Sequence, residues 1–204
     1  MQEVAERRTK YWLRAASLLI GIALSGPALA HTGPGLAIGL LSGFMHPITG
    51  LDHLVAMVAV GLWGAQLGAP GIWLLPVCFP AVMALGGVMG VVGVPLGHVE
   101  LFVALSALVL GGAVAASLRV PFWAAAIVVS VFAVFHGFAH GQELPSAAMP
   151  LAYGIGFVTA TGMLHAAGIG IGVLTRWPVG AVSIRVLGAA IAGLGGYFLA
   201  QVGA

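Results

Sequence analysis

Residues 36–66 read LAIGLLSGFMHPITGLDHLVAMVAVGLWGAQ, an apolar run that a His-Pro pair and Gly50 interrupt near its middle. At 31 residues, the run is longer than the roughly 20 residues that cross a bilayer as one helix, and it is too short for two such helices. Proline removes a helical hydrogen bond, and irregular backbone inside a membrane is tolerated only where protein or a cavity surrounds it. The stretch therefore predicts a membrane helix that is broken or re-entrant.

The composition of the whole chain also indicates a membrane protein. Of the 204 residues, 61% are apolar and 6% are charged, which is far more apolar than a soluble core of this size needs. Glycine, proline and charged positions divide the sequence after residue 30 into six apolar segments, at about 36–66, 72–93, 100–118, 121–141, 148–174 and 182–202. We therefore expect one all-α domain over residues 31–204, a polytopic helix bundle of about six transmembrane segments with a broken first helix.

The first thirty residues are typical of a cleaved signal peptide. Four basic residues precede an apolar run over residues 15–24, and Ala28-Leu29-Ala30 has the pattern of a cleavage site. The run is shorter than the roughly 20 residues of a membrane span, which favours cleavage over an uncleaved signal anchor. We expect residues 1–30 to be the signal peptide and His31 to begin the mature chain.

The charges that remain after residue 30 predict the topology. They are three arginines and three acidic residues: Arg119, Arg176, Arg185, Asp52, Glu100 and Glu143. With a periplasmic mature N-terminus and the first segment counted as one span, all three arginines lie on the cytoplasmic side, as the positive-inside rule requires. This pattern predicts six spans in a bacterial inner membrane. It leaves no basic stripe for nucleic acid, and the single cysteine, Cys78, excludes a disulfide framework within one chain.

The first of two polar clusters follows the interruption in segment 36–66. The motif HPITGLDH places His46, Asp52 and His53 around the predicted helix break. A charged side chain at the bilayer centre costs about 2.5–3.5 kcal/mol on insertion scales, so such residues need partners or a function. Packing alone is a weak explanation for this many ionisable groups in so apolar a chain.

The second cluster lies in the motif FHGFAHGQE, residues 135–143. His136 and His140 are four residues apart and Glu143 follows three residues later, so all three project from one face of a helix. Imidazole and carboxylate together suit a divalent first-row metal ion. Neither cluster alone offers enough ligands, and we predict that the two face each other and form one metal site.

Three further histidines are ambiguous. His98 and His165 are isolated, and a hydrogen-bonded packing role explains each as well as ligation does. His165 lies nearer the cytoplasmic side, so it extends a graded series of candidate ligands inward. Signal cleavage would expose His31 with a free α-amine, whose pKa of about 7.7–8.0 leaves part of it neutral near pH 7. The amine and the ring could then chelate a metal ion, or His31 could simply follow the cleavage site.

In their order and positions, the two motifs resemble those of the HupE/UreJ family of bacterial membrane proteins, which is associated with import of nickel, or cobalt in some members, for hydrogenase or urease. The resemblance covers the whole mature chain. It implies a role in metal recognition or passage for the residues of both motifs: His46, Asp52, His53, His136, His140 and Glu143. The family pattern also draws attention to Phe79 and Glu100, which spacing alone does not select.

The resemblance implies a secondary permease that imports Ni²⁺, or Co²⁺, from periplasm to cytoplasm, with no prosthetic group and no enzymatic activity. Besides the ion and the bilayer, cytoplasmic nickel chaperones of hydrogenase or urease are candidate partners. Two other classes stay open. His-x-x-x-His with a nearby glutamate also suits an intramembrane metalloenzyme or metal sensor, although the sequence lacks His-Glu-x-x-His. Bis-histidine haem ligation is less compatible with carboxylates beside the histidines.

Overall fold

The computed structural model describes residues 34–146 and 148–202, so the predicted signal peptide and His31 lie outside the described residues. The described ranges form seven α-helices and one short 3-10 helix, with no strand, which confirms the all-α prediction. The helices are α1 (Pro34–Thr49), α2 (Leu51–Leu67), α3 (Gly71–Val91), α4 (Val99–Ala115), α5 (Phe122–Gln142), α6 (Pro150–Gly172) and α7 (Pro178–Gln201), with the 3-10 helix Val173–Arg176 between the last two.

The first apolar segment is broken at Gly50, as its sequence predicts. The axes of α1 and α2 differ by 78° across this residue, which adopts an extended backbone with φ −78° and ψ 105°. At the end of α1, the Thr49 hydroxyl lies 3.1 Å from the carbonyl oxygen of Met45, to which it donates. The break places Asp52 and His53 in the first turn of α2, beside the end of α1.

Four helices are long and apolar enough to cross a membrane: α3, α5, α6 with its 3-10 extension, and α7. The bent pair α1–α2 is a fifth candidate span. Helix α4 occupies the position of the third predicted segment, but it has only 17 residues. Its length of about 25 Å is at the lower limit for a span. The described residues therefore contain four or five candidate spans by length and composition, and α4 is a shorter apolar helix.

Helix α2 lies in the middle of the bundle and packs on α3, α4 and α6, while α3 packs extensively on α5, and α4 on α7. The core is built from fully buried side chains such as Met57 and Leu62 of α2, Phe79 of α3 and Leu110 of α4. Many large apolar side chains on the outside of the helices remain exposed, Trp73 and Leu151 among them. Such a surface suits lipid, since a soluble monomer rarely exposes extended apolar patches.

The close contact between α3 and α5 depends on glycines of both helices, two of which belong to α5. A Cβ at Gly137 would collide with the carbonyl oxygen of Met83, and one at Gly141 with the carbonyl oxygen of Gly87. Small residues allow membrane helices to approach this closely. Each of these two α5 glycines directly follows a histidine of the second motif, so its packing against α3 fixes the direction in which His136 and His140 point.

The two ends of the bundle carry different polar groups. At one end, the Arg185 guanidinium donates to the carbonyl oxygen of Ala115 over 2.9 Å, and the Trp63 indole donates to that of Leu118 over 2.9 Å. Arg119 follows Leu118 in the loop before α5. Glu143 follows the other end of α5, a helix of 21 residues that is about 31 Å long at the rise of an α-helix. Arg119 and Glu143 are therefore separated as the charge-based topology requires.

Candidate metal centre

The side chains of the two motifs converge where α1, α2 and α5 meet. The ring of His140 lies with its centroid 4.6 Å from that of His46 and 4.4 Å from that of His53. His53 is in turn 4.6 Å from His136. The two predicted polar faces are thus directed at each other. We call their six residues the two-motif cluster: His46, Asp52, His53, His136, His140 and Glu143.

Three members of the cluster offer ligand atoms at distances suited to one ion. One atom each from His46, His140 and Glu143 lies within 4.8 Å of the others, and Nε2 of His46 is 3.3 Å from Oε2 of Glu143. Ligand atoms about 2.1 Å from a common metal lie about 3.0–3.4 Å apart when their bonds enclose angles of about 90–110°. This trio can therefore hold a divalent cation after small side-chain movements.

Asp52 is placed to orient His53. Its Oδ1 lies 2.9 Å from Nδ1 of the His53 ring and also accepts the His53 backbone N–H over 2.9 Å. A carboxylate bonded to one ring nitrogen fixes the tautomer and makes the other nitrogen the ligand, a common arrangement beside metal sites. In His53 that other nitrogen, Nε2, is buried and has no hydrogen-bond partner.

Ser106 of α4 is placed to orient the ring of His136. The sequence motifs did not indicate this serine. The Ser106 hydroxyl lies 2.6 Å from the carbonyl oxygen of Val103 and 2.8 Å from Nε2 of His136. Because a carbonyl cannot donate, the hydroxyl proton points to Val103, and Nε2 of His136 must donate to the serine. Nδ1 of His136 is then the nitrogen with a free lone pair. A lone serine in the apolar run LFVALSALVL was the available signal.

Unpartnered nitrogens are concentrated in this cluster. Nε2 of His53, Nδ1 of His136 and both ring nitrogens of His140 are buried without a hydrogen-bond partner. Each orphaned polar group costs about 1–3 kcal/mol, so native proteins contain few of them. Several such atoms in one place indicate a binding site, because a ligand compensates the cost.

The cluster is open at the Glu143 end and closed toward the core. The side chains of His46 and Glu143 are 33% and 57% exposed, whereas His136 and His140 are buried. A largely apolar cavity of about 630 Å³ between α3, α5 and α6 has His140 and Tyr153 in its wall. The two carboxylates of the cluster are not paired with an arginine anywhere in residues 34–146 or 148–202. An ion that approached from this end would meet the exposed side chains first and the buried ones later.

Other candidate residues lie outside the cluster. Glu100 and His98 are exposed at the start of α4, where they line a small depression with Val202. His165 of α6 is buried, and its ring packs on the edge of Phe79, with centroids 5.4 Å apart. Phe79, which only the family pattern had indicated, contacts both His165 and His136 of the cluster. The position of His31 is not among those described.

Comparison with known proteins agrees with the family resemblance of the sequence. Residues 18–198 match the family described as HupE / UreJ protein. A curated relative, Protein HupE of Rhizobium leguminosarum bv. viciae, is 46% identical over 171 residues, which cover 83% of this chain and 90% of the relative. No solved structure matches the chain. The chain belongs to the HupE/UreJ family, whose members are associated with nickel or cobalt transport for hydrogenase or urease.

Proposed function

We propose that this protein is a secondary permease, not an enzyme, that imports Ni²⁺ or Co²⁺ from the periplasm to the cytoplasm through the two-motif cluster. The observation that carries the proposal is the set of buried, unpartnered imidazole nitrogens that converge beside His46 and Glu143. Imidazole nitrogen with carboxylate oxygen suits a divalent first-row ion and requires no prosthetic group. The ion is the transported substrate and would supply the maturation of hydrogenase or urease.

The charges at the two ends support the proposed direction of transport. The arginines lie away from Glu143, and the positive-inside rule assigns their end to the cytoplasm. In this orientation the exposed ligands, His46 and Glu143, receive the ion from the periplasm. Import of two positive charges is favoured by about 4.6 kcal/mol per 100 mV of inside-negative membrane potential. The orientation requires six spans in the inner membrane, with the bent pair and α4 each crossing once.

The ligands must release the ion as well as bind it. A permeation site strips water from the ion but holds it weakly enough for the next step. His46 and Glu143 keep contact with the surface, so they can exchange an ion quickly, while His140, His53 and His136 provide buried nitrogens in sequence. Asp52 contributes by holding the His53 ring, with its second oxygen free for the ion.

The proposed route also includes a capture step before the cluster and a hand-over step after it. Cleavage of residues 1–30 would place His31 at the periplasmic N-terminus, where its amine and ring could capture the ion ahead of the cluster. On the other side of the membrane, nickel chaperones of the client enzyme would receive it. Capture at His31 would thus be the periplasmic step, and receipt by the chaperones the cytoplasmic step.

The test is metal flux through the purified protein. The full chain is reconstituted in liposomes with an inside-negative potassium diffusion potential, and Ni²⁺ entering the lumen is measured against protein-free vesicles. We expect accumulation in the lumen that requires the protein and increases with the potential. Tight stoichiometric binding without accumulation would contradict the permease and favour a metalloenzyme or sensor.

A further inference from the structure

A second group of unpartnered polar atoms lies deeper in the bundle than the two-motif cluster. His165 and Thr161 of α6 are both buried. Both ring nitrogens of His165 and the hydroxyl of Thr161 have no hydrogen-bond partner of regular geometry. The two residues are four apart on one helix, so they project from the same face. A histidine retained only for packing would direct a ring nitrogen to a partner of good geometry.

An oxygen donor on α3 lies beside this histidine. Pro80 has no N–H, so the carbonyl oxygen of Pro76, four residues earlier, receives no helical hydrogen bond. A His165 ring N–H is directed at this carbonyl in a poorly aligned hydrogen bond, which falls short of regular geometry and leaves the other ring nitrogen without a partner. Such freed carbonyls coordinate ions in the interrupted helices of transporters.

The Phe79 ring lies against one histidine of the two-motif cluster and against His165. Its fully buried ring lies with its centroid 5.6 Å from that of His136 and 5.4 Å from that of His165. Of the two ring nitrogens of His136, Nδ1 is the unpartnered one, because Ser106 occupies Nε2. His165 lies about 22 Å along α6 from Pro150 and about 10 Å from the other end of this helix. His165 is thus closer to the arginine-bearing end than the cluster is.

We propose that His165, Thr161 and the Pro76 carbonyl form a second, inner binding position for the transported divalent cation, with Phe79 as the barrier between it and the two-motif cluster. The proposal rests on the permease function given above. One imidazole with two neutral oxygens binds a divalent ion more weakly than a site that contains a carboxylate. The inner position therefore favours release toward the cytoplasm, and an ion reaches it from His136 only when the Phe79 side chain moves aside.

The test counts the ions that the full chain holds. Purified protein in lipid nanodiscs is titrated with Ni²⁺ alone, and bound metal is measured after equilibrium dialysis. We expect the parent to bind two ions of unequal affinity. His165→Ala and His165→Gln should each lose the weaker ion, keep the tighter one and transport more slowly. Thr159→Ala is the matched control, since Thr159 is an exposed threonine of the same helix that bonds to its own backbone.

Two outcomes overturn the inner position. In the first, the parent protein binds only a single ion at saturation. This result rejects the second ion position even if neither His165 variant folds. The other is a His165 variant that keeps both ions. In either case, liposome uptake by the parent shows separately whether the permease function stands. A parent without uptake contradicts that function, whereas normal uptake with an unchanged ion count in His165→Ala rejects the inner position alone.

Discussion

Oδ1 of Asp52 lies 2.9 Å from Nδ1 of His53, so the carboxylate orients the ring of the residue that follows it in sequence. The carboxylate holds the ring through Nδ1, and the buried Nε2 faces the other histidines. In the proposed site, Asp52 would therefore act mainly through His53, while also adding negative charge near the ion. This division of roles can be tested by changing the charge of residue 52 and its hydrogen-bonding capacity separately.

Asp52→Ala should abolish uptake at limiting metal, because loss of a carboxylate behind a ligating histidine typically costs 10–100-fold in metal affinity or activity. Asp52→Asn should retain more uptake than the alanine variant, since its amide oxygen can still accept the His53 N–H. The two variants are compared by their initial uptake rates over a range of Ni²⁺ concentrations. The rates are normalised to the amount of protein in the membrane. An asparagine variant no better than alanine would show that Asp52 acts as a charged ligand and not through the ring.

Ser106→Ala should weaken metal binding by about 10–100-fold, because His136 loses the acceptor that fixes its tautomer. Ser106→Thr keeps the hydroxyl and should restore most of the affinity. Ni²⁺ dissociation constants of the purified variants, with thermal melting as a check on folding, provide the comparison. If alanine and threonine reduce affinity equally, the serine contributes by its size alone.

The sequence was sufficient to predict the features that depend on local pattern. His-Pro and Gly50 indicated the helix break, and the i, i+4, i+7 spacing of His136, His140 and Glu143 indicated one polar face. It could not predict contacts that depend on packing between distant segments. Ser106 meets His136 across 30 residues, and nothing in their spacing reveals it. Glu100, selected by family pattern alone, lies outside the cluster because α4 begins at the surface.

Glu143→Ala and Glu143→Gln should both abolish uptake while protein abundance in the membrane stays normal, since the proposed site takes a carboxylate ligand from this exposed helix end. The neighbouring Gln142→Ala is the matched control and should transport like the parent, because Gln142 is exposed and does not belong to the cluster. Uptake per unit of membrane protein decides the matter. Normal flux in either Glu143 variant would remove this residue from the proposed site.

Gly137→Ala should lower thermal stability and uptake together, because its Cβ would collide with the Met83 carbonyl and force α5 away from α3. Gly193→Ala, on the exposed side of α7, meets no atom within 4 Å and should be neutral or slightly stabilising. Melting temperatures of both variants in the same detergent test this pair. Equal melting temperatures would show that the close contact between α3 and α5 is not required.

The most direct measurement of the central claim is the number of Ni²⁺ ions that leave the protein when one ligand from each motif is removed. His46 and His140 belong to different helices, and their rings lie 4.6 Å apart. If they hold the same ion, His46→Ala, His140→Ala and the double variant should each lose one ion per chain relative to the parent, because the second substitution finds the site already lost. Loss of one ion in each single variant and of two in the double variant would contradict the shared site.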